Sequence, residues 1–271
     1  MLGVGVGLTL AFIYIPLIVI AIYAFNGGTT FKWPLESVTT EWFGRAIDNQ
    51  GARDALWTSM RVGAAATGLA LVLGTLASFA VSRYRFFGRE TISFLVVLPI
   101  ALPGIVTGVA LSNTFTQVFG IDLSLFTVIV GHATFCIVVV YNNVIARLRR
   151  LSGNLEEASA DLGAHTWQTF RHITLPNIQT ALVAGGLLAF ALSFDEIIVT
   201  TFTLGAGEQT LPIWIFSNLF RGQQFQITNV VAVMAVVISI VPVYLAHRLS
   251  REEGVTARGA GGRAAATARV P

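Results

Sequence analysis

A helix that crosses the hydrocarbon of a bilayer needs about 20 predominantly apolar residues, each rising about 1.5 Å. Six stretches of this chain meet that length: roughly 4–25, 58–82, 91–114, 125–146, 178–203 and 228–247. Runs of this kind outweigh any soluble-domain reading of a 271-residue length. Composition agrees. Hydrophobic residues make up 54% of the chain and charged residues 11%, whereas a soluble domain is about a quarter charged. So little charge cannot cover a water-facing surface, which excludes a soluble enzyme. The expected fold class is all-α, a polytopic membrane protein with six transmembrane helices. The first run lacks a basic n-region and exceeds the roughly 7–15 apolar residues of a signal peptide. It reads as a retained helix whose basic flank is short or lies outside the sequence.

Orientation follows from the cations. The connection 26–57 balances Lys32, Arg45 and Arg53 against Glu36, Glu41, Asp48 and Asp54, and 115–124 carries only Asp122. The loop 204–227 sets Arg221 against Glu208. On the other side lie Arg83, Arg85 and Arg89, then Arg147, Arg149, Arg150 and Arg171, then Arg248, Arg251, Arg258, Arg263 and Arg269. Those twelve of the seventeen Lys and Arg mark the cytoplasmic side, so six spans place both termini inside. Residues 1–253 form the transmembrane permease domain. Residues 254–271, Ala/Gly/Arg-rich and without apolar periodicity, read as a disordered cytoplasmic tail. The net charge of +3 is scattered between spans instead of gathered into a patch, so nucleic acid is not an expected partner. The single cysteine, Cys136, excludes an internal disulfide and a CxxC site.

Nothing in the chain is equipped for hydrolysis. A phosphate-cradling loop needs Gly-x4-Gly-Lys-Ser/Thr, but the only lysine, Lys32, is followed by Trp33. HExxH and GxSxG are absent as well, so no catalytic residue is expected. His132 and Cys136 share a helix face, but two ligands do not satisfy a structural zinc. Helix packing is the expected role, and no metal site is assigned. Ala70, Gly74 and Ser78 recur at the small-residue spacing that lets helices approach closely in lipid. Pro99 and Pro103 are expected to kink the third span. Asn142 and Asn143 should cap backbone groups or bond between helices. Trp214, Phe216 and Phe220 fit an interfacial aromatic belt, a gate or a docking face.

The connection between the fourth and fifth spans is the most informative segment. From Leu155 to Gly163 it reads as a short amphipathic helix capped by Asn154, with acids in the first turn where the dipole favours them. Leu155, Ala158 and Leu162 recur on one side. Gly163 ends the helix, and a second short helix leads to Leu175-Pro176. An interfacial helix lying on the inner leaflet is the alternative, although an acidic first turn suits an anionic surface poorly.

Glu157-Ala158-Ser159, three residues, Gly163, nine residues and Ile173-x-Leu175-Pro176 together resemble the EAA signature of binding-protein-dependent ABC importer permeases. Spacing matches throughout, and only the third alanine differs, being Ser159. The resemblance implies the type I permease fold, with 154–176 as a cytoplasmic coupling loop that docks on a separate ABC ATPase dimer. ATP and magnesium would be bound there, so no cofactor is expected in this chain. It further implies a second permease subunit forming a heterodimer, an extracytoplasmic solute-binding protein, and residence in a bacterial inner membrane. Ser193-Phe194-Asp195-Glu196 and Gly205-x-Gly207-x2-Thr210-Leu211-Pro212-x-Trp214-Ile215 resemble the spermidine/putrescine-type permeases, in particular their second, or "C", subunit.

Asp195 and Glu196 are the only acids that the six runs place within hydrocarbon. An ionised side chain there costs on the order of 3 kcal/mol and normally faces a partner or a water-filled path. In a continuous helix, neighbours point about 100° apart, so one of the two would face the path. The pair is the candidate substrate-binding site for a small cation such as a polyamine, whose ammonium a carboxylate can bind by charge and hydrogen bonds. A salt bridge to a partner subunit, or a position already in water, would also accommodate it. Other readings are a permease of the same architecture for another solute or ion, and an ion-coupled carrier using these carboxylates. A membrane-embedded enzyme would lack any nucleophile–base or metal pattern.

Overall fold

The structure, a computed structural model, describes residues 2–28, 32–219, 221 and 224–267, with side chains from 3 to 248. In chain order it contains α1 (Leu2–Tyr23), α2 (Glu41–Asp48), α3 (Gln50–Arg83), α4 (Arg89–Ala101) and α5 (Gly104–Asn113). There follow a π-helical turn Thr114–Val118, α6 (Leu125–Leu148), α7 (Asn154–Asp161) and α8 (Thr166–Thr169). A second π-helical turn, Phe170–Thr174, leads into α9 (Leu175–Phe194), α10 (Ile198–Thr203), α11 (Leu211–Asn218) and α12 (Phe225–Thr267). Among the described residues the only β pairing is an isolated bridge between Asn26 and Val38. Among the described residues five helices are long and apolar enough to cross a membrane, or six where the bent pair counts as one span.

That pair corrects the third span. A kink at Pro99 and Pro103 is expected, yet α4 and α5 meet at 105°. Pro99 lies inside α4 without ending it, whereas Pro103 is extended (ψ 130°) at the head of α5. Proline disfavours the α conformation in the residue before it; Leu98 before Pro99 stays helical, whereas Leu102 before Pro103 takes ψ 143° and the helix stops there. The fifth span is also redrawn. Its helix runs over Thr166–Phe194 instead of 178–203, then breaks at Asp195-Glu196-Ile197 before α10. The tail differs too. Where disorder is expected over 254–271, the backbone is helical to Thr267. Residues 268–271 lie outside the described ones.

The chain divides into two compact units, Met1–Arg61 with Ala206–Ile240, and Val62–Gly205 with Val241–Pro271. In the first, α1 exposes apolar side chains all round, none of its apolar window being buried, as befits a helix facing lipid or another subunit. The Trp42 indole N–H donates to Asn26 O at 2.8 Å, and Phe25 packs on Phe43 with ring centroids 4.9 Å apart. The Leu211 N–H donates to Ser59 Oγ at 2.8 Å, and the side-chain amide of Asn218 donates to Trp214 O at 2.8 Å.

In the second unit, α6 is the most buried span and packs along α9. Ala70, Phe135, Cys136, Val140, Val144, Ile178 and Ala189 form the core between α3, α6 and α9. The small residues of α3 face this core. Ser78 Oγ lies 2.7 Å from Gly74 O and 3.1 Å from Tyr141 O, so the Ala70/Gly74/Ser78 spacing is a packing device between α3 and α6.

Candidate functional site

Two places in the second unit carry the residues singled out by sequence, and α9 runs between them. The first is the hairpin of α7 and α8. Gly153, not Asn154, stands at the N-cap of α7, and no side chain caps it. Glu156 and Glu157 lie in the first turn, where the helix dipole favours anions. At the other end the Gly163 N–H bonds Ala160 O at 2.8 Å and the Ala164 N–H bonds Ser159 O at 3.1 Å. This pair of bonds is a Schellman ending, which requires a left-handed residue, and Gly163 has φ +82°. The glycine four residues beyond Ser159 is therefore a backbone requirement: a Cβ there would meet no atom within 4 Å, so crowding is not its reason.

Ser159 is more than a tolerated alanine. Its Oγ lies 2.9 Å from Thr169 Oγ1, tying α7 to α8. Glu156 is turned inward and accepts from the Arg83 guanidinium at 2.5 Å and from Thr174 Oγ1 at 2.9 Å, both on one carboxylate oxygen. One acid thus joins the end of α3, the first turn of α7 and the approach to α9. Glu157 and Ala158 are exposed, Leu155 is 47% exposed and Leu162 89%. Of the remaining motif residues, Ile173 lies in the π-helical turn and Leu175 packs against the core. Pro176 is the second residue of α9, directly after the π-helical turn.

The second place is the break after α9. Asp195 ends the helix at φ −96°, ψ 3°. The two acids no longer behave alike. Glu196 Oε1 accepts the Val199 N–H at 2.9 Å and so caps α10. Asp195 is exposed on this chain and its carboxylate has no partner among the described residues. The α10 segment is wedged between α5 and α6. A Cβ on Gly108 would stand 2.8 Å from the Phe202 ring, so only glycine allows α5 and α10 to approach this closely. At the head of α5, the Cβ position of Gly104 is 3.3 Å from Ile198. The breaks in the third and fifth spans are therefore neighbours. Interrupted helices at membrane depth are tolerated where their freed backbone groups are buried in protein or line a water-filled path.

His132 of α6 holds the second break from behind. Nδ1 lies 2.7 Å from Ser193 Oγ, at the end of α9, and Nε2 lies 2.8 Å from Thr200 Oγ1, in α10. Thr200 gives its single hydroxyl hydrogen to Glu196 O at 2.8 Å, so it must accept from the ring. The tautomer that satisfies every bond carries the proton on Nε2 and accepts from Ser193 at Nδ1. Cys136, on the same helix face, bonds Ala189 O at 3.3 Å. Both residues thus pack helices together, and among the described residues no three His, Cys, Asp or Glu gather as metal ligands. The clamp on the break is the feature that residue patterns miss, because Ser193 and Thr200 lie 61 and 68 residues from His132.

The other polar and aromatic candidates separate. Asn143 donates to Val139 O at 2.9 Å within α6, while Asn142 is exposed. Trp214 is buried at 5% exposure, Phe216 is 60% exposed, and Phe220 lies outside the described residues.

A bundle of apolar helices with two adjacent interruptions, a lone carboxylate at one of them and an exposed hairpin at the far end of the same helix is the build of a transport permease. The sequence comparison agrees. Residues 70–252 match the family described as the inner membrane component of binding-protein-dependent transport systems, and the chain belongs to that family. It is a multi-pass transport subunit of the inner membrane. It is 31% identical over 249 residues to the putrescine transport system permease protein PotI of Escherichia coli K12, covering 89% of this chain and 88% of that one. With the spermidine/putrescine transport system permease protein PotC of the same organism it shares 30% identity over 243 residues, 90% of this chain and 91% of the other. The fold is that of a subunit of a bacterial alginate ABC transporter crystallised with its alginate pentasaccharide-bound periplasmic protein. The TM-score is 0.70 and the identity 16%, over 93% of each chain.

Proposed function

We propose that this chain is a polyamine-importing permease subunit in which Asp195 meets the cationic cargo and Glu196 holds the backbone break that presents it. The observation that carries this reading is the division of labour between the two acids: Glu196 is consumed in bonding a first-turn N–H of α10, whereas Asp195 is exposed and has no partner among the described residues. An ionised carboxylate is not left against lipid, so it faces a path or another subunit. An ammonium group on the cargo supplies both the charge and the hydrogen-bond donors that it lacks. Putrescine and spermidine are named for relatives that match about nine-tenths of this chain. In this reading the hairpin 154–176 is cytoplasmic, as are both termini, and it docks on an ABC ATPase dimer that binds ATP and magnesium. A second, different permease subunit completes the path, and an extracytoplasmic binding protein delivers the cargo.

The test is uptake of radiolabelled putrescine by cells carrying the complete transporter with Asp195→Asn or Glu196→Gln. Asp195→Asn should lower uptake about tenfold or more, the equilibrium worth of one charged hydrogen bond, while leaving the ATPase in pull-downs. Glu196→Gln keeps an acceptor for the Val199 N–H and should be much milder. Full uptake by Asp195→Asn would end the cargo assignment. Uptake that resists orthovanadate but collapses with an uncoupler would replace ATP drive with ion coupling.

A further inference from the structure

A second polar feature of the α6–α9 pair shares no residue with the cargo and coupling sites described above. At the arginine-rich end of α6 a cleft of about 350 Å³ opens against the first turns of α9, lined by Asn142, Asn143, Ala146, Arg147, Arg150 and Thr180. Its polar lining is amide, hydroxyl and guanidinium, with no carboxylate. Arg147 is fixed at the rim, since its Nε–H donates to Asn177 O at 2.7 Å. Arg150, one turn further along, is exposed, and its guanidinium bonds no side chain among the described residues. From Asn142 to Arg150 the cleft follows α6 for about 12 Å at 1.5 Å per residue. It therefore reaches from beyond the apolar end of the helix, Leu148, back into the hydrocarbon level. At that level its walls include the small, apolar Ala181 and Ala184.

We propose that this cleft binds a phosphate monoanion supplied by the headgroup of an anionic phospholipid. Guanidinium groups match phosphate oxygens in charge and in fork geometry, and basic pockets between membrane helices suit such headgroups. The cleft's depth favours a lipid over free phosphate: an amphiphile places its phosphate on the arginines and its glycerol against the alanines below. A cationic cargo is repelled from this cleft, so its occupancy is independent of the transport reading.

The complex, purified with its native partners through a tag on this chain, is equilibrated in micelles doped with phosphatidylglycerol or phosphatidylcholine. Lipid retained per complex is read by native mass spectrometry. Phosphatidylglycerol should be retained in preference to phosphatidylcholine, and Arg150→Gln should reduce that retention about tenfold, as expected for one charge-assisted bond lost. Ala146→Trp, which leaves every charge in place and changes an exposed position, should block retention by filling the cleft. Arg149→Gln, an equal charge change outside the cleft, should leave it unchanged. Equal losses from Arg149→Gln and Arg150→Gln, or equal retention of the two lipids, would overturn the site. Displacement of phosphatidylglycerol by millimolar inorganic phosphate would overturn the lipid as occupant and assign the cleft to the free anion.

Discussion

The two ends of α9 are built in opposite ways. At Leu175 the helix is joined to groups that reach water: a partly exposed Arg83–Glu156 ion pair, a hydroxyl bond between Ser159 and Thr169, and a hairpin that leaves Leu162 almost bare. At Phe194 the side chains that hold its end are buried, with His132 bridging Ser193 and Thr200, and the Asp195 that follows is exposed. In between are 20 residues of helix, about 30 Å, packed on α6 through Ile178, Gly185 and Ala189. One end is shaped to be gripped from outside. The other keeps a polar interruption ordered inside an apolar bundle. Orphaned polar groups are expensive in hydrocarbon and cheap in water, so the same loss of a hydrogen bond should cost far more at the Phe194 end.

His132→Ala is the strongest test of that asymmetry. It orphans the buried Ser193 hydroxyl, takes from the Thr200 oxygen its donor while leaving the Thr200 bond to Glu196 O, and opens a cavity, together costing about 3–5 kcal/mol. Both the amount of protein in the membrane and its melting temperature in detergent should fall. Thr200→Val removes only one of the two ring contacts and should cost about 1–2 kcal/mol. If His132→Ala melted like wild type, the break would not depend on the clamp, and the contrast between the two ends would fail.

The Gly163 end should respond next, and differently. Gly163→Ala imposes a left-handed conformation on an L residue for about 1–2 kcal/mol, with no steric clash to add. Protein level should be nearly unchanged, while ATPase recovered in a pull-down and putrescine uptake should both drop. Gly163→Asn, better tolerated at φ +82°, should recover part of each. A loss of protein level as large as that of His132→Ala would show the hairpin to be part of the folding core, not an exposed handle.

The Gly163 end was visible in the sequence and the Phe194 end was not, for the same physical reason. A Schellman ending, an acidic first turn and a proline at the head of a helix are local, so Glu157, Gly163 and Pro176 stand at spacings fixed by helix geometry. The apolar runs likewise placed the spans at α1, α3, α6 and α12 nearly where they lie. The breaks depend on contacts across the bundle. Pro103 announces a disturbance, but the size of the bend, 105°, and the close approach of α5 to α10 at Gly108 have no local signal. Asp195 and Glu196 look equivalent in a continuous helix. They separate once the helix ends at Phe194 and Glu196 is free to fold back on Val199. The Glu196 side of that arrangement has a local trace, an acceptor three residues before the N–H it caps, which an unbroken apolar count from 178 to 203 overlooks.

The smallest expected change in stability carries the most information about coupling. Arg83 and Glu156 are 26% and 30% exposed, and an ion pair at such a site contributes about 0.5–1 kcal/mol, less in high salt. Arg83→Gln should therefore barely move the melting temperature. If the pair only decorates the surface, transport will be equally indifferent. If it links α7 to α3, its loss should leave the ATPase bound but raise the ATP hydrolysed per putrescine moved, because hairpin motion no longer reaches the spans. Exchanging the charges, Arg83→Glu with Glu156→Arg, should restore that ratio toward wild type while sacrificing the Thr174 contact. Thr174→Val alone then measures what the shared oxygen contributes. A ratio unchanged in Arg83→Gln would confine force transmission to the continuous path from α8 through the π-helical turn into α9, and Glu156 would be a fastening of the hairpin and nothing more.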